Sequence, residues 1–215
     1  MNPLIDVRRR MFAFMYDQVC SAGADERLTP MRVATVASVR GNVLEIGAGT
    51  GSNLPFYDVG VALSVVEPNR HMARRFARNA TRVGRDSTVV IGDGERLPFA
   101  TGTFDAVVST LVLCSVRDMG AVLSEVRRVL RPANQRRAGG TFHFFEHVAS
   151  EQVRMRQFQR WLNPAWGWLA DGCQLDREIG SSIRDAGFNS VEIEEIDMPI
   201  GPPFTRRCIL GRAMR

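Results

Sequence analysis

V-L-E-I-G-A-G-T-G, which runs from Val43 to Gly51, is the stretch of sequence that decides the fold. Its apolar start is typical of a buried parallel strand, and three glycines at alternate positions follow it. Gly47 and Gly49 let the backbone approach a ligand where a Cβ atom would intrude. Gly51 opens a helix whose free N–H groups can face that ligand. The stretch therefore predicts a strand and a tight turn beneath a nucleotide-like cofactor.

The spacing of these glycines distinguishes two classes of cofactor. The dinucleotide fingerprint G-x-G-x-x-G requires a third glycine at the position that Ser52 occupies. The spacing is instead E-x-G-x-G-x-G, which resembles the first motif of the class I S-adenosylmethionine (SAM) methyltransferases. The resemblance implies SAM as the cofactor. The residues that it assigns to this part of the cofactor site are Glu45, Gly47, Ala48, Gly49 and Gly51.

An acidic residue follows the second predicted strand. Glu67 lies 20 residues after Gly47, the distance at which an acid reaches the ribose of an adenosine cofactor in a Rossmann unit. A carboxylate at this point accepts hydrogen bonds from both ribose hydroxyls, and Pro68 lies beside it. Glu45 then has the role of holding the amino group of the methionine moiety, directly or through water.

A second motif, G-D-G-E-R-L-P-F, follows the third predicted strand. The form G-D-x-x-x-L-P-F is similar to a pattern of the same methyltransferase class. That similarity implies that Asp93 accepts from the exocyclic amine of adenine, with Gly94 and Glu95 close by. The fourth predicted strand ends at Leu111, where this class places the methyl donor beside its substrate.

The length and composition of the chain agree with a single α/β domain. It has 215 residues, of which 45% are hydrophobic, so it can bury a substantial core. No apolar run reaches the roughly 18 residues that span a bilayer, and the first residues lack a signal-peptide core. We therefore expect a cytoplasmic protein without stable membrane insertion. The expected parts are an N-terminal helical cover (1–40), a SAM-binding core (41–150), and a substrate-side segment with the terminal strands (151–215).

The spacing of the cysteines and the net charge of the chain restrict which metals and macromolecular partners the sequence predicts. The four cysteines form no C-x-x-C pair, which argues against a zinc cluster or a disulfide framework, so we expect free thiols and no metal. The net charge of +5 and pI near 9.6 raise the question of nucleic acid. Yet the arginines are scattered and not interleaved with aromatic stacking platforms, so we expect no nucleic-acid partner.

Two polar residues, Glu146 and His147, lie at the end of the fifth predicted strand, at the ligand crevice. A thiol acceptor reacts as the thiolate, and its free pKa of about 8.5 means that a modest base suffices to activate it. His147, oriented by Glu146, is the candidate base because imidazole titrates near neutrality. Asp171 is a second candidate. A hydrogen-bonded histidine without a catalytic role is the alternative interpretation of His147.

Further strings sharpen the resemblance: T-L-V-L-C-S-V, E-V-R-R-V-L-R-P, F-F-E-H-V and D-G-C-x-L-x-R-E. They are similar to the alkyl-thiol S-methyltransferases of the methyltransferase-like group in animals and to their bacterial relatives. The match covers about residues 40–190 and is interrupted by an extra loop at 133–138. It implies an α/β fold with a Rossmann-like, mostly parallel seven-stranded sheet, helices on both faces and an antiparallel last strand.

The same resemblance implies methyl transfer to a small-molecule acceptor, a thiol in the first place. It assigns Tyr16, Cys114, Trp161 and Trp166 to substrate binding, with the tryptophans as an apolar lid. Packing is the alternative role for each of them, and for Cys114 it is the favoured one. Two other functions stay open. One is O-, C- or N-methylation of a quinone, lipid or polyketide, and the other is a non-catalytic module that binds SAM or nucleic acid.

Overall fold

The computed structural model describes residues 3–19, 25–135 and 137–215. The strands are β1 (Asn42–Ile46), β2 (Ala62–Val66), β3 (Ser87–Val90), β4 (Ala106–Thr110), β5 (Thr141–His147), β6 (Ser190–Asp197) and β7 (Arg207–Met214). The helices are α1 (Pro3–Val19), α2 (Asp25–Val36), α3 (Arg70–Arg82), α4 (Met119–Val129), α5 (Val153–Leu169) and α6 (Ile179–Asp185). Short 3-10 helices cover Leu54–Phe56 and Pro203–Thr205.

The strands form one seven-stranded sheet in the order β3-β2-β1-β4-β5-β7-β6. Strands β1 to β5 pair in parallel, whereas β7 is antiparallel to both of its neighbours, β5 and β6. The order changes direction between β1 and β4, which is the switch point where open α/β sheets bind ligands at the carboxyl ends of their strands. The predicted Rossmann-like sheet with an antiparallel last strand is confirmed.

Alternate strand residues pack on opposite faces of the sheet. On one face, Leu44 joins a core that includes Leu123 of α4 and Ile183 of α6. On the other face, the next residue back, Val43, packs in a second core with Phe76 of α3. Burial on both faces explains why the central strands are nearly continuous runs of apolar residues. The predicted helices on both faces are confirmed.

Helix α5 is the main element that the sequence analysis did not predict. It has 17 residues, contains Pro164 in its interior, and carries all three tryptophans of the chain. Proline removes a backbone donor and clashes with the preceding turn, so its presence argues locally against a helix. Trp161 and Trp168 are seven residues apart, so they lie on one exposed face of this helix, whereas Trp166 points in a different direction.

Helix α1 lies against α3 and reaches the segment after α5. Arg70 on α3 forms an ion pair with Asp6, at 2.8 Å, and Arg75 pairs with Asp17. Arg8 pairs with Asp171 at 3.1 Å. These contacts place α1 beside the carboxyl end of the sheet. Among the described residues, no helix has both the length and the apolar content that crossing a membrane requires.

Candidate active site

The glycine turn after β1 adopts the left-handed backbone that only glycine tolerates easily. The φ angles of Gly47, Gly49 and Gly51 are +59°, +58° and +93°. A Cβ atom on Gly47 would lie 2.5 Å from a Val112 methyl, so this glycine is needed for packing. Around Gly49, apart from its chain neighbours, no described atom lies within 4 Å of the Cβ position. The space over Gly49 therefore forms a cradle that a side chain would fill, which fits the close approach of a cofactor.

Gly49→Ala is expected to weaken SAM binding by at least about 10-fold, or about 1.4 kcal/mol. The matched control is Gly84→Ala, because Gly84 also has a positive φ, +66°, and open space around its Cβ position. Both alanines cost about 1–2 kcal/mol of backbone strain, so both variants lose similar stability. Calorimetric titration with SAM and thermal unfolding check the pair. Equal SAM affinities of the two variants would contradict the assignment of the cradle.

Glu67, directly after β2, is 4% exposed and faces this turn. Its two carboxylate oxygens accept hydrogen bonds from the backbone N–H of Gly49, at 2.9 Å, and of Asn69, at 2.8 Å. Burial raises the pKa of Glu67 to about 7, and these backbone donors oppose the rise. Each oxygen keeps a second lone pair, so the carboxylate retains the acceptor capacity that ribose hydroxyls require.

Glu45 lies under the turn and is held by protein groups on both oxygens. Asn53 Nδ2 donates to one oxygen at 2.8 Å, and the Tyr57 hydroxyl donates to the other at 3.0 Å. Arg32 in turn donates to Asn53 Oδ1 at 3.0 Å, and Asn53 also contacts Thr110. Burial raises the pKa of Glu45 to about 7. The sequence analysis missed this network, because its members come from α2, the turn after β1, and β4.

The residues assigned to adenine lie after β3 and are joined by an arginine that the sequence analysis did not name. Arg117 Nη2 lies 3.3 Å from Asp93 and 2.7 Å from Glu95. Glu95 also accepts from the backbone N–H of Arg117 and of Asp118, at 2.8 Å and 2.9 Å. A Cβ on Gly94 would press against Val122 at 3.3 Å. Glu95 thus connects the loop after β3 to the loop before α4.

Glu146 is completely buried and organises the loop after β4. Its carboxylate accepts from the Ser109 hydroxyl and from the backbone N–H groups of Val112, at 2.9 Å, and Leu113, at 3.0 Å. Leu111, at the start of this loop, has a positive φ of +59°. A non-glycine residue keeps such a conformation only where its surroundings hold it. Burial raises the pKa of Glu146 to about 8.

The expectation that Glu146 orients His147 is wrong. Neighbouring residues of a strand point to opposite faces of the sheet, so the two side chains diverge. Glu146 faces the loop after β4, whereas His147 Nε2 lies 3.4 Å from the backbone carbonyl of Phe204. Within the described part of the chain, His147 Nδ1 is buried and has no hydrogen-bond partner. Burial lowers the pKa of His147, which favours the neutral ring over the protonated one.

Asp171 is held between three elements. It forms the ion pair with Arg8 of α1, and its second oxygen lies 3.4 Å from Asn69 Nδ2, just before α3. Its own φ is +48°. Asn69 also donates to the carbonyl of Arg9 at 3.1 Å. The chain therefore brings Asp171 to the end of the sheet where Glu67 lies, and the connecting residues Arg8 and Asn69 were missed by the sequence analysis.

The four residues assigned to substrate binding differ in their surroundings. Trp166 packs edge-to-face on Phe204 with ring centroids 5.3 Å apart, whereas Trp161 is 74% exposed. Cys114 is buried in the loop after β4. Tyr16 lies on α1, with its ring 6.1 Å from that of Phe12. Their roles in substrate binding stay predictions.

The described part of the chain contains no candidate metal site. Among residues 3–19, 25–135 and 137–215, no group of three or more histidine, cysteine or acidic side chains is arranged to hold a metal ion.

Known proteins resemble this chain in both sequence and fold. Residues 44–134 match a family described as a methyltransferase domain. The human thiol S-methyltransferase TMT1A is 34% identical over 95% of this chain and 83% of its own length. The human thiol S-methyltransferase TMT1B is 34% identical over 88% and 77% of the two chains. A SAM-dependent methyltransferase from Thermotoga maritima has the same fold, with a TM-score of 0.68, 19% identity, and coverage of 96% and 98%.

The sheet topology, the glycine turn and these matches define a SAM-dependent methyltransferase. Within that class, the chain belongs to the family of the thiol S-methyltransferases, as its identity with the human proteins shows. The resemblance drawn from the motifs is thereby confirmed. Membership of an enzyme family does not agree with the alternative of a non-catalytic binding module.

Proposed function

We propose that this enzyme methylates the sulfur of a small thiol. The observation that carries the proposal is the 34% identity with a thiol S-methyltransferase over 95% of this chain and 83% of the relative. Similarity of that extent covers both the cofactor half and the substrate half of the domain. It supports the same acceptor class more directly than a shared fold does.

The chain's own residues fit SAM at the carboxyl ends of β1 to β4. The open cradle over Gly49 admits the cofactor, and Glu67 supplies ribose acceptors, with Pro68 beside it. Asp93 and Glu95 would contact adenine, and Glu45, which is bonded to Asn53, would hold the amino group of the methionine moiety directly or through water. Ala48 lies in the glycine turn after β1, and Leu111 lies at the start of the loop after β4. When bound, SAM supplies a methyl group on a positively charged sulfonium, and the sulfur leaves readily as a neutral thioether.

The protein's part in the reaction is to orient the acceptor, exclude water and assist the loss of the thiol proton. The loop after β4, which Glu146 anchors, carries Leu111 and Cys114, and Trp166 lies on α5. Apolar side chains of this kind suit a small lipophilic thiol. His147 is the candidate base, and the burial that lowers its pKa keeps the imidazole neutral but makes it a weaker base. Asp171 is the second candidate, and its ion pair with Arg8 limits that role.

The acceptor class is tested with purified protein, labelled SAM and a panel of hydrogen sulfide, small alkyl thiols, phenols and quinols. We expect label only in the thiol products. The control is the same panel without protein, which measures spontaneous methylation. Label in phenols or quinols with none in any thiol would contradict the proposal and favour an O- or C-methyltransferase.

His147→Ala is expected to lower the methylation rate at saturating SAM by about 10-fold at pH 7, which is less than the usual general-base effect because a few per cent of the acceptor thiol is already ionised. The loss shrinks as the pH approaches about 8.5, because the acceptor thiol then ionises without help. The pH dependence of the rate for both proteins is the measurement. His143→Ala, on the same strand and the same face, controls for packing. A near-normal rate across the whole pH range would remove His147 as the base.

A further inference from the structure

Two cysteines that lie far apart in the sequence meet beside the loop after β4. Cys114 lies in that loop, and Cys173 lies just after α5. The backbone N–H of Gln174 donates to the carbonyl of Cys114 at 2.8 Å, which fastens the two segments together. A Cβ on Gly172 would lie 3.1 Å from the carbonyl oxygen of Ser115, so glycine permits this approach.

The two thiols lie close enough for each to shift the pKa of the other. Both side chains pack in the same hydrophobic core, and a disulfide between them requires Cα atoms about 4.4–6.8 Å apart. Cys114 is 3% exposed, whereas Cys173 is only partly buried. Cys173 is therefore the thiol that a small molecule reaches first.

The surroundings of the two sulfurs are unequal. The nearby Cys114 thiol lowers the pKa of Cys173, burial opposes this, and the neighbouring Trp166 and Arg177 lower the pKa further. The same pairing, together with burial, raises the pKa of Cys114. The more exposed sulfur is thus also the better thiolate, and thiolates are the species that attack disulfides.

We propose that Cys114 and Cys173 are a dithiol site that reduces small-molecule disulfides by thiol–disulfide exchange. The thiolate of Cys173 attacks one sulfur of the disulfide RS–SR, a Cys173–SR bond forms, and RS⁻ leaves. Cys114 gives its proton to the departing RS⁻ and attacks the Cys173 sulfur, and the second RS⁻ leaves. The substrate gains two electrons as two thiols, and the protein loses two as the Cys114–Cys173 disulfide.

The proposal adds a second reaction beside the loop after β4. If this loop lines the site of the methyl acceptor, which rests on the proposed function, the thiols are released where the methyl group is transferred. The oxidised protein then needs an external dithiol before a further round of exchange. The exchange itself requires neither SAM nor methyl transfer, so the two activities can fail independently.

The experiment uses reduced protein that carries Cys20→Ser, because Cys20 lies outside the described residues and is a separate thiol. It is mixed with 2-hydroxyethyl disulfide in the absence of SAM. Released thiol is counted after alkylation, and peptide mass spectrometry maps the cysteines. We expect two thiols released per chain, the loss of two hydrogens from the protein, and a peptide that links Cys114 to Cys173.

Three variants in that background identify the roles of the sulfurs. Cys114→Ser is expected to release one thiol per chain and to keep a mixed disulfide on Cys173. Cys173→Ser is expected to release at least about 10-fold less thiol over the same time, because Cys114 is buried. Cys208→Ala behaves as the parent, since Cys208 is buried in a separate core with Phe145.

Two results would overturn the proposal. One is thiol release from the parent no greater than from Cys173→Ser. The other is a mixed disulfide on Cys173 that persists while Cys114 stays reduced. Neither result bears on methyl transfer. Conversely, a protein that exchanges disulfides normally but methylates no thiol would contradict the proposed function alone.

Discussion

Glu67→Gln is expected to weaken SAM binding about 100-fold, or about 2.8 kcal/mol. The carboxylate is buried, and ribose hydroxyls that donate to it form charge-assisted hydrogen bonds, each worth about 1.5–3 kcal/mol. Glutamine keeps the volume but offers one acceptor oxygen in place of two. Its NH2 group also faces a backbone N–H, of Gly49 or Asn69, that has lost its acceptor. Calorimetric titration with SAM measures the change.

The control for Glu67→Gln is Glu26→Gln, an exposed acid on α2 to which the same chemical change is made. Glu26→Gln is expected to bind SAM as the unmodified protein does. Thermal unfolding verifies that both variants are folded at the temperature of the titration. An unchanged dissociation constant in folded Glu67→Gln protein would show that the ribose contact is misassigned, whatever the role of the glycine turn.

Glu146→Ala is expected to lower the free energy of unfolding by about 3–5 kcal/mol and to reduce methylation to background. The substitution leaves the Ser109 hydroxyl and the backbone N–H groups of Val112 and Leu113 buried without their acceptor. Each such donor costs about 1–3 kcal/mol. The loop that holds Leu111 at its positive φ loses its main anchor. Urea unfolding and the rate at saturating SAM measure the two effects.

The matched control for this change is Glu194→Ala on β6. Glu194 is exposed, lies in the same sheet, and loses the same side-chain atoms. Its substitution is expected to change the free energy of unfolding by less than about 0.5 kcal/mol. A Glu146→Ala protein as stable as this control would show that the buried carboxylate does not organise the loop after β4.

The pH dependence of stability in Glu146→Gln is a second test of the role of Glu146. The folded-state pKa of Glu146 is raised to about 8 from an ordinary value of 4.5, so the folded protein binds the proton more tightly than the unfolded chain. Its contribution to stability is complete below about pH 4.5 and is lost as the pH rises through about 8. The free energy of unfolding therefore falls across this window. We expect a smaller fall in Glu146→Gln, which cannot ionise, and equal falls would contradict the raised pKa.

Local sequence patterns were sufficient to predict the elements that form the cofactor-binding end of the sheet. A continuous apolar strand followed by glycines at alternate positions predicts β1 and its turn, because only glycine adopts these φ angles without strain. Asn69 caps α3, since its side chain accepts from the N–H of His71 at 3.1 Å, and asparagine is one of the residue types that favour this position. Such signals need only residues that are close in the chain.

One error in the candidate site was avoidable from the sequence. Glu146 and His147 are consecutive residues of a strand, and the period of two sends them to opposite faces. The other omissions were of a different kind. Asn53 between Glu45 and Arg32, and Arg117 between Asp93 and Glu95, join residues from separate elements. Nothing in the local pattern distinguishes an asparagine or arginine that will bridge two loops from one that faces water.

The motif from Val43 to Gly51 and the acid at Glu67 determined, without any coordinates, the class of sheet and the end at which its cofactor binds. Backbone conformation and strand polarity follow from short-range sterics, so they can be predicted from residues that are close in the chain. The pairing of Cys114 with Cys173 and the ion pair of Arg8 with Asp171 were decided only by the tertiary structure. Those contacts depend on how the loop after β4, the end of α5 and α1 pack together, and that geometry is a property of the whole folded chain.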